Sequence, residues 1–281
     1  MRNPWKYAGL GCLNLLAVIV AIAVAQPLLH RAHASQAVGL AVIAGLVVLV
    51  YLASTRWIER RTPDEFKVGR ALPEGVAGLL LGFVLFSVVM GILWALGVYH
   101  PGGRGTTQGL AAGLVLALSS GIMEEILFRG LLFRVSAKIL GTWGALLLTA
   151  AFFGAAHAFN PGATVSSSLA IALEAGILLG AAYAATTRLW LPIGLHIAWN
   201  FSEGPVYGMA VSGGNMGGDL LRGSLSGPRI LTGGQFGPEA SIVAVLVCLV
   251  AAIYFIVRIV KLRRVEPALW SRQNAAPGAS R

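Results

Sequence analysis

Eight apolar runs organise this chain, each long enough or nearly long enough to cross a bilayer: Tyr7–Leu29, Ala37–Ala53, Gly75–Val98, Gln108–Phe133, Thr142–Phe159, Ser166–Thr187, Leu191–Val211 and Ala240–Val260. A span needs about 20 apolar residues. In lipid every backbone N–H and C=O must be bonded within the protein, so runs of this length resolve into helices. The sequence therefore reads as an all-α membrane protein with about eight transmembrane helices. Composition agrees: 57% of the 281 residues are hydrophobic and 11% are charged, against roughly 25% charged in a soluble domain. The net charge of +10 then reflects basic flanks that set topology, not a nucleic-acid surface. Cys12 and Cys248 lie inside apolar runs. They read as small buried hydrophobes and support neither a disulfide framework nor a cysteine metal site.

With eight spans both termini share one side. All but four of the 21 Lys and Arg residues fall on that side, the exceptions being Arg31, Arg104, Arg222 and Arg229. The positive-inside rule puts the N- and C-termini of this multi-pass cell-membrane protein in the cytoplasm. Residues 1–25 also have features of a signal peptide, with Arg2, Lys6 and Ala23-Val24-Ala25. Pro27 just after the cleavage position and the length of the apolar stretch favour a retained first helix. The chain divides into an N-terminal three-helix membrane region (1–105) with a cytoplasmic loop at 54–74, a helical core (106–211), a Gly-rich outer loop (212–238), a last transmembrane helix (239–265) and a disordered tail (266–281). The loop 54–74 reads equally well as an interfacial helix or as a solvated connection.

Ionisable residues inside the spans are few, and each is a functional candidate because a charge at membrane depth costs ~3 kcal/mol. Those noted are Glu124, Glu125, Arg129, His157, Glu174 and His196. A helix advances about 100° per residue. Glu125 and Arg129, four apart, share a face and can pair as structural support. Glu124 points elsewhere, on the face of Ser120, without that cation. Phe153 lies one turn before His157, and Asn200 one turn after His196. Glu174 stands outside this set and reads as a structural partner.

Two chemistries fit a Glu, two His and an Asn on three helices. In one, Glu124 and His157 polarise a water that attacks a carbonyl, while His196 and Asn200 donate to the oxyanion. In the other, Glu124, His157 and His196 hold a zinc ion that activates the water. No Gly-x-Ser-x-Gly occurs, no Asp lies in a span and no Cys lies near a His, which disfavours serine, aspartyl and cysteine proteolysis. A different class, a channel or transporter, is raised by Gly234-Gln235-Phe236-Gly237-Pro238 beside a helix start. Such a string can bind anions through backbone N–H groups, but it also reads as a turn and helix start with Pro238 in the first turn and Glu239 favourable to the dipole. A non-enzymatic binding protein of immunity type is the remaining alternative.

Glu124-Glu125-x-x-x-Arg129, Phe153-x-x-x-His157 and His196-x-x-x-Asn200, in this order on successive helices, resemble the three motifs of the CAAX-prenyl-protease and bacteriocin-processing (CPBP) family of intramembrane endopeptidases. Phe128-Arg129-Gly130 and Trp190-Leu191-Pro192-Ile193-Gly194 match the surroundings. The resemblance covers about residues 110–202, a third of the chain. It implies an endopeptidase acting on a membrane-associated protein or peptide, prenylated substrates included. Glu124 and His157 would activate water, and His196 and Asn200 would form the oxyanion site, without a required cofactor; the metal-dependent version would use zinc. One geometric tension stands. Counted from Lys138, Glu124 lies ~21 Å along its helix, whereas His196 lies only ~12 Å from Arg188. Either the link before His196 dips into the membrane or the two preceding helices tilt.

Overall fold

The computed structural model describes residues 4–32 and 35–274. Helices α1 (Pro4–Arg31), α2 (Gln36–Trp57) and α3 (Ala71–Ala95) come first, and strand β1 (Tyr99–Thr106) follows. α4 (Leu110–Glu125) passes through a π-helical segment, Ile126–Phe133, directly into α5 (Arg134–Ala156). A second rod consists of α6 (Val165–Ile171), a π turn at Ala172–Gly176 and α7 (Ile177–Thr186). α8 (Trp190–Phe201) runs into a third π turn at Ser202–Val206. Strand β2 (Asp219–Leu225), the short α9 (Arg229–Thr232), α10 (Ile242–Lys261) and α11 (Leu269–Asn274) complete the described chain.

Among the described residues six helical stretches are long and apolar enough to cross a membrane: Gly9–Arg31, Gln36–Trp57, Asp64–Ala95, Leu110–Phe159, Val165–Thr186 and Ile242–Lys261. The protein is thus largely helical and multi-pass. Two places account for the difference from the eight apolar runs. The fourth and fifth runs form one continuous stretch that bends at Gly141, whose φ of 72° and ψ of 177° are not helical. The seventh run is divided between α8 and its π turn, and every residue of α8 from Leu191 to Asn200 is buried. Outward faces are apolar. On α10, Leu246, Val250, Ile253, Tyr254 and Val257 are exposed, while Ala244, Cys248, Ala252, Phe255 and Ile259 are buried. A row of exposed large side chains is a liability in water and the natural outer surface in lipid.

The Gly-rich segment 212–238 is more ordered than an outer loop. β2 pairs antiparallel with β1, with a bulge between Pro101 and Arg104. β1 is Tyr-His-Pro-Gly-Gly-Arg-Gly-Thr, which lacks the apolar alternation that marks a strand.

The connection 58–70 is not a surface helix, and it is solvated only in part. It has two 3-10 turns, Asp64–Phe66 and Val68–Arg70, and it carries buried carboxylates. Glu59 accepts from Asn14 of α1 (2.6 Å), Arg134 of α5 (2.7 Å) and Arg61 (2.7 Å). Glu65 takes the hydroxyl of Tyr51 and pairs with Arg61. Two acids that read as surface charge thus tie α1, α2 and α5 together. The tail departs from expectation as well. It forms α11, and Thr142 N–H donates to the Glu266 carbonyl (3.0 Å). A Cβ on Gly141 would stand 2.7 Å from that oxygen, so the bend and the docked tail require each other. The rest of the expected tail, residues 275–281, lies outside the described residues, as do Arg2 and the other residues of 1–3.

Burial alone would raise the Glu59 carboxyl above its ordinary value, but the Arg134, Arg61 and Asn14 contacts outweigh it and hold it below. A depressed carboxyl adds stability above its unfolded pKa and loses it as pH falls through the folded value. Glu59→Gln is therefore expected to cost ~3 kcal/mol at neutral pH by uncoupling a buried ion network. Thermal unfolding in detergent should show the gap to wild type closing as pH drops below the ordinary carboxyl range.

Candidate active site

Three π segments interrupt the helices, two of them in helices that carry the motifs, and each puts an ionisable side chain inside the bundle. The first contains Arg129, the second Glu174 and the third Glu203. Such segments cluster at functional sites because one added residue re-aims the side chains beyond it.

Arg129 and Glu125 are both fully buried and pair at 2.7 Å. The guanidinium also donates to the carbonyls of Ala175 (3.1 Å) and Gly176 (3.3 Å) at the end of the second π turn. Its flat face lies 4.7 Å from the centroid of the Phe153 ring, close enough for a cation–π contact. Phe153 meets the His157 ring on the same wall, centroids 4.6 Å apart. The aromatic one turn before His157 is thus a plate between the buried cation and the imidazole.

His157 follows the end of α5, and its Nδ1 lies 2.8 Å from the Phe153 carbonyl. A carbonyl only accepts, so Nδ1 carries a proton and Nε2 is the atom turned to the site. Nδ1 of His196 lies 2.9 Å from Oε1 of Glu125, the same oxygen that Arg129 holds. Each imidazole is thereby fixed through one nitrogen and presents the other. Both Nε2 atoms stand 3.9 Å from Oε2 of Glu124. That oxygen is buried without a hydrogen-bond partner. A separation of 3.9 Å is too long for a direct hydrogen bond and suits one atom held between. Asn200 donates from Nδ2 to Ser120 Oγ at 3.1 Å, so the serine one turn before Glu124 meets the asparagine one turn after His196.

Glycines bring α8 to this depth. A Cβ on Gly78 or Gly82 of α3 would strike the carbonyls of Leu191 and Leu195, and one on Gly194 would strike the Gly75 carbonyl. A Cβ on Gly121 of α4 would stand 2.7 Å from Ile197. Small residues let helix backbones close up where lipid offers no hydrophobic drive. The link before α8 is sunk in protein too: Leu189 is fully buried, and its N–H donates to the Glu65 carbonyl (2.9 Å). The counted depths do not keep the motifs apart, since His196 Nε2 stands 3.9 Å from Glu124 Oε2.

A cavity opens beside the histidines. Its water-sized space is about 20 Å³, and its walls include His157, His196, Asn200, Trp199, Ser212, Glu174 and Glu239. Glu203 lies behind Glu239, whose N–H donates to Glu203 Oε1 at 3.2 Å. Glu203 and Glu239 were not among the residues singled out from the sequence. For Glu203 a signal existed: it lies seven residues after His196, two helical turns along one face. Glu239 resembled an ordinary helix start.

Among the described residues no group of three His, Cys, Asp or Glu side chains has the geometry to hold a metal ion. Zinc–nitrogen and zinc–oxygen bonds of roughly 2 Å at tetrahedral angles require ligand atoms closer together than the two 3.9 Å separations here. The Glu124, His157 and His196 set therefore does not fit zinc as arranged.

A lone carboxylate turned to two braced imidazoles, inside a bundle of membrane helices, is the equipment of a membrane-embedded hydrolase. Residues 106–202 match the family model described as Type II CAAX prenyl endopeptidase Rce1-like. That match covers about a third of the chain, and over it the protein is similar to the CAAX protease type II (CPBP) family of intramembrane endopeptidases, which act on membrane-bound proteins or peptides. No curated protein and no solved structure matches the chain.

If glycine contact sets the depth of His196 and Asn200, Gly194→Leu should push α8 off α3. A displacement of about 1 Å costs on the order of 10²-fold in rate. Cleavage of a membrane peptide should fall by that factor in protein that still elutes as a folded species on size exclusion.

Proposed function

We propose that Glu124 and His157 activate the water that attacks the scissile carbonyl, and that His196 and Asn200 hold the oxyanion. The observation that carries this reading is the position of Glu124 Oε2, buried, unbonded and 3.9 Å from both Nε2 atoms. Water between these groups donates to Glu124 and to the free lone pair of His157. The Glu125 carboxylate braces His196 from behind and favours its doubly protonated form, which donates from Nε2 to the developing charge. Asn200 uses one amide hydrogen on Ser120 and has the second for the same oxygen. The proton taken from water returns to the leaving amine. Glu125, Arg129 and Phe153 support the site without touching the reacting atoms.

The substrate is a membrane-associated protein or peptide, prenylated substrates included, and the helical core 106–211 acts on it. Both termini lie in the cytoplasm, in line with the basic residues gathered on that side. The chain crosses eight times: Leu110–Phe159 counts as two crossings through the Gly141 bend, and α8 with its π turn is the buried seventh. The first helix is retained, a reading supported by the buried Asn14 and its bond to Glu59.

The test uses purified protein and a quenched fluorescent membrane peptide. Glu124→Gln and His157→Ala should each lower turnover by at least 10²-fold; wild-type rates in either variant rule the mechanism out. Chelation separates the two readings of the water. Residue-activated water predicts unchanged turnover after chelator treatment, whereas loss restored by zinc supports the metal version.

A further inference from the structure

The active-site cavity has an acidic wall that the hydrolytic set does not use. Glu174 and Glu239 line it opposite His157, His196 and Asn200, and Glu203 stands directly behind Glu239. The three carboxylates are almost without exposure, at 2%, 3% and 0% for Glu174, Glu239 and Glu203. Among the described residues no free cation faces them. Arg129, the nearest to Glu174, is already held by Glu125. Arg229, on α9 beside the Pro238–Ala240 turn, is turned to the surface. Cys248 of α10 puts its thiol on Glu174, and His157 is the titratable group that Glu239 feels across the cavity.

The hydrogen bonds divide the labour between Glu203 and Glu239. Glu239 Oε1 accepts from Ser212 N (2.6 Å) and Ser212 Oγ (2.8 Å). Those donors suit an anion. Glu203 accepts a single N–H at Oε1, and its Oε2 is buried with no donor facing it. The two carboxyl groups lie within hydrogen-bond reach of each other. Two touching carboxylates in a low-dielectric interior cannot both be charged. A proton on Glu203 Oε2 resolves both facts: it removes the second charge and turns the orphan oxygen into a donor to Glu239.

We propose that Glu239, backed by a neutral Glu203, is a positioning and proton-relay residue of the hydrolytic site. The cavity between Glu239 and the histidines has room for one water and polar groups on both sides, which is what a proton needs to cross it. When the attacking water loses a proton to the Glu124–His157 pair, that proton passes from His157 to the Glu239 carboxylate. It returns by the same route as the carbon–nitrogen bond breaks and the amine leaves. Glu203 keeps its own proton throughout, so the cycle closes with no other donor.

This proposal rests on the Glu124–His157 reading, and the variants separate the two. Glu239→Gln should lower kcat about 10²-fold with KM unchanged. It should also move the acid limb of the kcat profile to lower pH, because the anion that holds a proton in the cavity is gone. Wild-type kcat and an unshifted profile in Glu239→Gln overturn the relay, even where Glu124→Gln is inactive and the hydrolytic reading stands. A second measurement needs no active variant. The infrared spectrum of the wild-type protein at neutral pH should contain the carbonyl stretch of a buried protonated carboxyl that Glu203→Gln removes. Absence of that band, or its persistence in Glu203→Gln, overturns the assignment of the proton.

Discussion

The bundle depends on one buried ion pair. Arg129 and Glu125 have no exposed surface, and moving two such ions out of water costs several kcal/mol each. Their value lies in what else they hold. Oε1 of Glu125 receives both the guanidinium and His196, and the guanidinium extends to two carbonyls of the second rod. Three parts of the chain far apart in sequence meet at this oxygen. It sets the rotation of His196 as a buried carboxylate sets the histidine of a catalytic triad, by fixing which nitrogen points inward. Glu124, the adjacent carboxylate, escapes this arrangement because one residue of helix turns it about 100° away.

Charge orients the site, and missing side chains supply its proximity. The α3–α8 seam is made where Gly78, Gly82 and Gly194 leave backbone against backbone. α8 is buried on nearly every side and moderately apolar, so hydrophobicity alone does not set its height or rotation. Contact distance does, helped by the edge-to-face packing of Trp199 on Phe86, with centroids 5.0 Å apart. Around the 58–70 connection the Glu59–Arg61–Glu65–Arg134 network gives the same definition to α1, α2 and α5. The protein is thus clamped by two polar networks.

Much of this was legible in the sequence because period and spacing are local properties. The four-residue spacing of Glu125 and Arg129 states a shared helical face, and charges in apolar runs stand out against their surroundings. Features set by contacts between distant segments were not legible. Nothing in Asp64-Glu65-Phe66 states that Glu65 turns inward to Tyr51. β1 pairs with a strand more than a hundred residues away and shows no alternation of its own. The π turn at Ala172–Gly176 leaves little local mark, whereas Gly204-Pro205 inside Ser202–Val206 is a visible break in the helix pattern. Glu203 beside it passed as part of an apolar run, although that break and its distance from His196 were usable clues.

Those three π turns bear on how the gene for such a protein can vary. Each contains one residue more than the α-helix would need, and that residue sets the angular phase of all that follows. A change of side chain in Ile126–Phe133 or Ser202–Val206 alters that residue's own contacts. Loss or gain of a single codon there rotates the downstream helix by about 100° and carries its inward face out to lipid. These segments are therefore constrained in length more strictly than in composition. The paired strands β1 and β2 lie beyond the helices and tolerate such changes better than the helices that meet at Glu125.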